Sequence, residues 1–286
     1  MKSRIKIIFS MLIFGSLGVF VTRLSLPTGH IVFVRAAIAC LALFLILKIK
    51  GKGKSKLSAS SFMLLLFLGG LIGINWLLLF EAYKYIYVST ATLLYYTQPV
   101  FLIILGRIFL KEKLTWKKFT AILLAIIGMF FINGFSVSGA DSKRGVFLAL
   151  GAAILYAIIV LINKASKDIT NADGLVVTDI QMLGAAIVMG VYTFLKYDGE
   201  FAVLDKESII ILVILGLVHT ALAYYLYFTS IKSIDAQSVA VLGYIDPASA
   251  LVFSAIFLDE RLGVLQWIGA GLIALSAIIS QLKSGK

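Results

Sequence analysis

A chain of 286 residues that is 61% hydrophobic and only 14% charged lies above the roughly 45–50% apolar share of soluble domains and below their roughly 25% charged share. Its 26 basic and 14 acidic residues give a formal charge of +12, yet the lysines and arginines fall in short breaks between apolar runs, which argues against nucleic acid as a partner. One cysteine, Cys40, excludes an intramolecular disulfide, and with only two histidines a zinc or haem site is not expected, nor any other cofactor.

A membrane-spanning helix needs about 20 mostly apolar residues. Ten such runs follow one another at 5–21, 31–47, 62–80, 88–110, 116–135, 145–162, 175–195, 209–228, 239–258 and 262–282. The first is preceded by Lys2, Arg4 and Lys6 but lacks a small-x-small cleavage pattern, so it reads as a retained helix. Turn residues separate the runs, as in Leu26-Pro27-Thr28-Gly29 and Gly51-Lys52-Gly53-Lys54. The fifth is short unless Lys117 and Lys118 snorkel outward. With the N-terminus inside, most basic residues fall on the cytoplasmic side, including Lys48, Lys50, Lys52, Lys54, Lys56, Arg107, Lys111, Lys164 and Lys232. Both termini are then cytoplasmic, and Asp198, Glu200, Asp205 and Glu207 occupy an outer loop.

The chain also repeats itself. Residues 80–114 align without a gap on 228–262, matching Phe80/Phe228, Lys84/Lys232, Tyr96/Tyr244, Pro99/Pro247 and Glu112/Glu260 among others. Apolar bias explains matched leucines but not a lysine, a tyrosine, a proline and a glutamate in register. Five crossings separate the copies, so they run in opposite directions through the membrane. Such inverted repeats are a common plan of secondary transporters, whose substrate site lies near the midplane between the halves. The expected fold is therefore an all-α integral membrane protein of ten transmembrane helices, arranged as two five-helix inverted-topology repeats at 1–137 and 138–286.

Three features resemble the drug/metabolite transporter superfamily in its EamA-like branch. These are Arg35 early in the second run, Gln98-Pro99 followed by Leu110-Lys111-Glu112-Lys113-Leu114, and Asp246-Pro247 followed by Leu258-Asp259-Glu260-Arg261-Leu262 with Gln266-Trp267-Ile268-Gly269 beyond. Members often carry glutamate where this chain has Asp246. The resemblance implies a carrier in a bacterial-type plasma membrane, with export the commoner theme.

Asp246 falls about 10 Å into the ninth run at 1.5 Å per residue. A charged aspartate near a helix centre costs about 2.5–3.5 kcal/mol on insertion scales, so it should face a cavity or a partner. Pro247 and Pro99 remove the helical donors of the Gly243 and Tyr95 carbonyls, which marks kinks tolerated where protein or water satisfies them. His219, within the eighth run, is a proton-exchange candidate beside Asp246; a satisfied buried histidine is the alternative. Tyr95, Tyr96, Gln98, Tyr224 and Tyr244, with Tyr225 and Tyr227 nearby, could stack on a planar substrate or hold an ammonium group, although any one tyrosine could equally be packing. Asn75, Trp76, Tyr156 and Gln181 are weaker lining candidates. Arg35 reads as a structural ion pair or a snorkelling side chain, with carboxylate recognition the alternative. Glu112, Lys113, Glu260 and Arg261 read as caps or gate contacts, and Gly69 with Gly73 as a close helix contact.

The expected activity is transport of a small polar metabolite, most simply an amino acid or related amine, with membrane lipid as surroundings and protons as a candidate coupling ion. No nucleotide-binding loop is present, and an enzyme is not expected. An organic-cation or drug exporter, a lipid-linked sugar flippase and a helper subunit stay open, as does the oligomeric state.

Overall fold

A computed structural model describes residues 2–21, 23–51, 57–82, 84–86, 91, 94–111, 115–133, 142–197, 205–257 and 263–281. Every regular element among them is helical: α1 Lys2–Gly15, α2 Leu17–Val21, α3 Thr28–Ile49, α4 Ala59–Ala82, α5 Gln98–Phe109, α6 Trp116–Asn133, α7 Ser142–Ala165, α8 Lys167–Asn171, α9 Gly174–Lys196, α10 Lys206–Ile214, a π-helical segment Leu215–Leu222, α11 Ala223–Ile231, α12 Ala236–Gly243, α13 Ile245–Phe257 and α14 Val264–Gln281. Among the described residues six stretches are long and apolar enough to cross a membrane: Lys2–Val21, Thr28–Ile49, Ala59–Ala82, Lys143–Ala165, Gly174–Lys196 and Lys206–Ile231.

Of the ten runs of the sequence, the fourth and the ninth are interrupted in the structure beside their prolines. In the fourth run the chain turns at Tyr96 and Thr97, and α5 starts afresh with Pro99 in its first turn, where a missing N–H is harmless. In the ninth run α12 ends at Gly243, Tyr244 makes the turn, and Asp246 and Pro247 sit in the first turn of α13. The kinks expected at these prolines appear as one- or two-residue turns with right-handed helical dihedrals, at Thr97 and at Tyr244. The first run is also broken, at Ser16, whose hydroxyl donates to the Ile13 carbonyl at 2.8 Å. Glu112, Lys113, Glu260, Arg261, Asp198 and Glu200 lie outside the described residues.

Side-chain caps fix several helix starts. Asp173 accepts from Leu175 N at 2.9 Å, Asp205 from Ser208 N at 2.9 Å, and Asp235 from both Ser238 N and Ser238 Oγ at 2.9 and 2.8 Å. Packing uses small residues. A Cβ on Gly69 would strike the Gln181 carbonyl, and one on Gly184 would strike the Leu66 carbonyl, so α4 and α9 cross at backbone contact. α4 also lies on α7, α3 on α9 and on the π-helical segment, α1 on α11 and α13, and α6 on α14. Large apolar side chains such as Phe67, Phe147 and Phe194 remain exposed on the outside of this bundle.

Candidate functional site

The broken helices surround a cavity of about 300 Å³ lined from α1, α2, α3, α4, α5, α7, α11, α12 and α13 and from the turn before α5. Aromatic side chains are prominent in its walls: Phe14, Trp76, Phe80, Tyr95, Tyr96, Tyr156, Tyr224 and Tyr227. Two charged residues face it, Arg35 and Asp246.

Several polar wall groups are held by hydrogen bonds to their neighbours. The Trp76 indole N–H donates to the Tyr224 hydroxyl at 3.0 Å, and the two rings meet edge to face at 5.6 Å. Phe14 abuts Tyr224 at 5.0 Å between centroids. Tyr95 donates to Asn75 Oδ1 at 3.3 Å, while the Asn75 amide donates to the Ala152 carbonyl at 2.6 Å and so ties α4 to α7. Tyr156 and Tyr227 hydrogen-bond one another.

Arg35 is 3% exposed and lines the cavity, so it does not snorkel to the outside of the bundle. Its guanidinium carbon lies 4.3 Å from the Trp76 ring centroid, a cation–π contact. Its Nε donates to Thr220 Oγ1 at 3.0 Å. Thr220 in turn donates to the Leu215 carbonyl five residues back, at 2.8 Å. The wide π turn swings Thr220 toward α3 and supplies the acceptor that a regular helix would have placed elsewhere. The ion-pair and snorkelling reading of Arg35 is therefore replaced by a buried, stacked guanidinium that lines the cavity. A signal was present in the sequence: early in an apolar helix, Arg35 had no acid within one or two turns on its own helix.

Asp246 hydrogen-bonds the Tyr96 side chain, so the turn before α5 is joined to the start of α13 across the cavity. Tyr224 stands close enough to Arg35 and to Asp246 to feel both charges. Gln98 is 7% exposed and lines the same space, with its Oε1 unpartnered among the described residues. A buried amide oxygen without a donor is uncommon and marks a place for a ligand or water.

Of the residues singled out from sequence, Trp76, Tyr95, Tyr96, Gln98, Tyr224 and Asp246 line the cavity, as do Tyr156 and Tyr227. Asn75, His219 and Tyr244 lie outside its lining. Asn75 supports Tyr95 from behind. His219 is buried, its Nε2 3.0 Å from Ser16 Oγ and its ring edge-on to Phe20 at 4.9 Å, so it braces the break between α1 and α2. Tyr244 is 1% exposed and packs with Ala125, Met129 and Ile273. Gln181 instead donates to Asn163 Oδ1 at 2.9 Å. Among the described residues no three His, Cys, Asp or Glu side chains gather as metal ligands.

Helices of this length and composition, exposing large apolar side chains, define a multi-pass membrane protein. The chain belongs to the EamA-like transporter family, whose sequence profile matches it twice, at residues 1–134 and 143–281. The uncharacterized transporter YxxF of Bacillus subtilis is 31% identical over 274 residues, 94% of this chain and 86% of that protein. A protein of Escherichia coli K12 named "Probable amino-acid metabolite efflux pump" is 29% identical over 190 residues, 64% of each chain. Solute carrier family 35 member G1 of Mus musculus is 29% identical over 212 residues, 69% of this chain and 56% of that one. A crystal structure only 18% identical superposes with a TM-score of 0.84 over 98% of this chain and 97% of the other, a likeness of fold.

Proposed function

We propose that this chain is a ten-helix secondary transporter that takes a small zwitterion, most simply an amino acid, into the central cavity and exports it across the plasma membrane by alternating access. The observation that carries this reading is the charge pair, Arg35 and Asp246, facing one aromatic-walled space of about 300 Å³. A carboxylate is matched by the planar guanidinium, an ammonium group by the aspartate and the tyrosine faces. An organic-cation exporter would have an acid without an opposing positive charge at depth, and Arg35 counts against it. The name carried by the Escherichia coli relative points the same way.

In this reading Trp76, Tyr95, Tyr96, Gln98, Tyr224 and Asp246, joined by Arg35, Tyr156 and Tyr227, form the substrate site. Asn75 acts through Tyr95, and Tyr244 through packing. Asp246 is the candidate proton carrier; His219, bonded to Ser16, is the second.

Two inverted five-helix repeats, at 1–137 and 138–286, account for the packing. With the ten proposed spans numbered in order, the first lies on the eighth and ninth, as α1 does on α11 and α13. The sixth lies on the third and fourth, as α7 does on α4 and α5. The second meets the eighth through α3 and the π-helical segment, and the seventh meets the third through α9 and α4. Exchanging the halves converts each set into the other. The repeat register also pairs Trp76 with Tyr224 and Gln98 with Asp246. Trp76 and Tyr224 touch, which equivalent residues do only near the axis relating the halves. The substrate site then falls on that axis, the place expected for an inverted-repeat carrier. Both termini are assigned to the cytoplasm from the lysine and arginine distribution.

Calorimetry on the purified protein tests the charge pair. An amino acid should bind more tightly than its methyl ester, which lacks the carboxylate, and than its N-acetyl derivative, which lacks the ammonium, each by on the order of tenfold. Equal or tighter binding of the ester, or of a quaternary amine, would remove the zwitterion reading.

A further inference from the structure

A second cavity, of about 770 Å³, lies between the end of α3, the start of α4 and the start of α9. Its walls include Phe44, Phe62 and Met63, all exposed at the outside of the bundle, with Leu57 between them. On a membrane-spanning chain that exposure faces lipid. Two charged side chains line the same groove, Lys48 in the last turn of α3 and Asp179 in α9.

Asp179 has no role in the central site. It is the one acid within Gly174–Lys196 and lies about 8 Å beyond the start of that helix at 1.5 Å per residue. An acid at that depth needs a partner. The partner present among the described residues is the Cys40 thiol, a weak donor. Asp179 Oδ1 is buried and has none. Lys48 does not supply it, because its ammonium stands over the Phe44 ring at 4.9 Å from the centroid. The groove thus offers an under-satisfied carboxylate at depth, a lysine at its rim and apolar walls opening to the bilayer.

We propose that this groove seats a phospholipid with a primary-amine headgroup, its ammonium on Asp179, its phosphate on Lys48 and an acyl chain along Phe62 and Met63. The amine brings N–H donors to the groove-facing side of this carboxylate, which an anionic glycerol headgroup does not do without repulsion and a choline headgroup, having no N–H, does not do at all. The phosphate meets a lysine free to swing from Phe44.

The test is lipid retention by the full-length, delipidated protein in detergent, read by native mass spectrometry after incubation with equal amounts of phosphatidylethanolamine, phosphatidylcholine and phosphatidylglycerol. Phosphatidylethanolamine should be retained over the other two by on the order of tenfold, as one charge-assisted hydrogen bond implies. Asp179→Asn should abolish that preference, and Lys48→Gln should weaken retention of all three. Equal retention by the unmodified protein, or an unchanged preference in Asp179→Asn, overturns the proposal. Displacement of the lipid by water-soluble phosphoethanolamine at equal concentration overturns it too, as the signature of a small-molecule site. Should Asp179→Asn fail to fold, stepwise N-methylation of the lipid headgroup decides: retention should fall with each methyl, and a flat series contradicts the seat.

Discussion

At the scale of single residues, the cavity is governed by how its two charges are held. Arg35 is fixed by the Trp76 face at 4.3 Å and by Thr220 at 3.0 Å, and Asp246 by Tyr96. A hydrogen bond to a charged group contributes about 1.5–3 kcal/mol, so removing either charge should weaken amino-acid binding about ten- to hundredfold. The ligand dependence separates them. Asp246→Asn should weaken the amino acid and its methyl ester alike, while Arg35→Gln should weaken the amino acid and the N-acetyl derivative but leave the ester unchanged, all by calorimetry. If Arg35→Gln weakened the ester as much as the amino acid, Arg35 would be acting on the fold and not on the carboxylate. Asp246, Gln98 and the tyrosines were visible in the sequence as polar groups interrupting apolar runs. Arg35 was misread because its position early in a helix resembles that of an interfacial arginine. The partner that keeps it inside, Thr220, comes from a π turn that no residue pattern announces.

Single elements show how much turns on backbone approach and caps. α4 and α9 meet where Gly69 faces the Gln181 carbonyl, and a branched side chain there has no room. Gly69→Val should cost about 1–3 kcal/mol of overpacking and lower the thermal midpoint in detergent. Gly271→Ala, with open space around the added carbon, should leave that midpoint unchanged. Equal midpoints for both variants would mean that α4 and α9 are not in contact at Gly69. The cap at Asp235 is a milder case: Asp235→Ala should cost about 1 kcal/mol, seen as a small fall in the same midpoint. Element positions were largely legible, because apolar runs and turn residues mark them. Continuity was not. A proline in an apolar run does not say how tightly the turn before it closes, and at Pro99 and Pro247 that turn is closed locally, by Thr97 N to the Leu94 carbonyl at 3.1 Å and Tyr244 N to the Val241 carbonyl at 3.2 Å. The π segment was not legible either, since nothing in Leu-Gly-Leu-Val-His-Thr-Ala-Leu demands a wide turn until Arg35 is placed against it.

For the whole molecule, the proposed two-repeat plan rests on the repeat in the sequence and on helix contacts that are preserved when the halves are exchanged, and it would put the cavity where the halves meet. The asymmetry is chemical: Gln98 in one half stands opposite Asp246 in the other. In the proposed plan, a pseudosymmetric scaffold whose acid stands on one side alone can alternate its access while keeping one orientation for a zwitterion. Counterflow into liposomes containing only the purified chain tests this most directly. Vesicles preloaded with unlabelled amino acid should take up external labelled amino acid well above protein-free vesicles, an excess lost in both Arg35→Gln and Asp246→Asn. Uptake that persists in both variants, or that is driven by preloaded quaternary amine and not by amino acid, would contradict the zwitterion carrier.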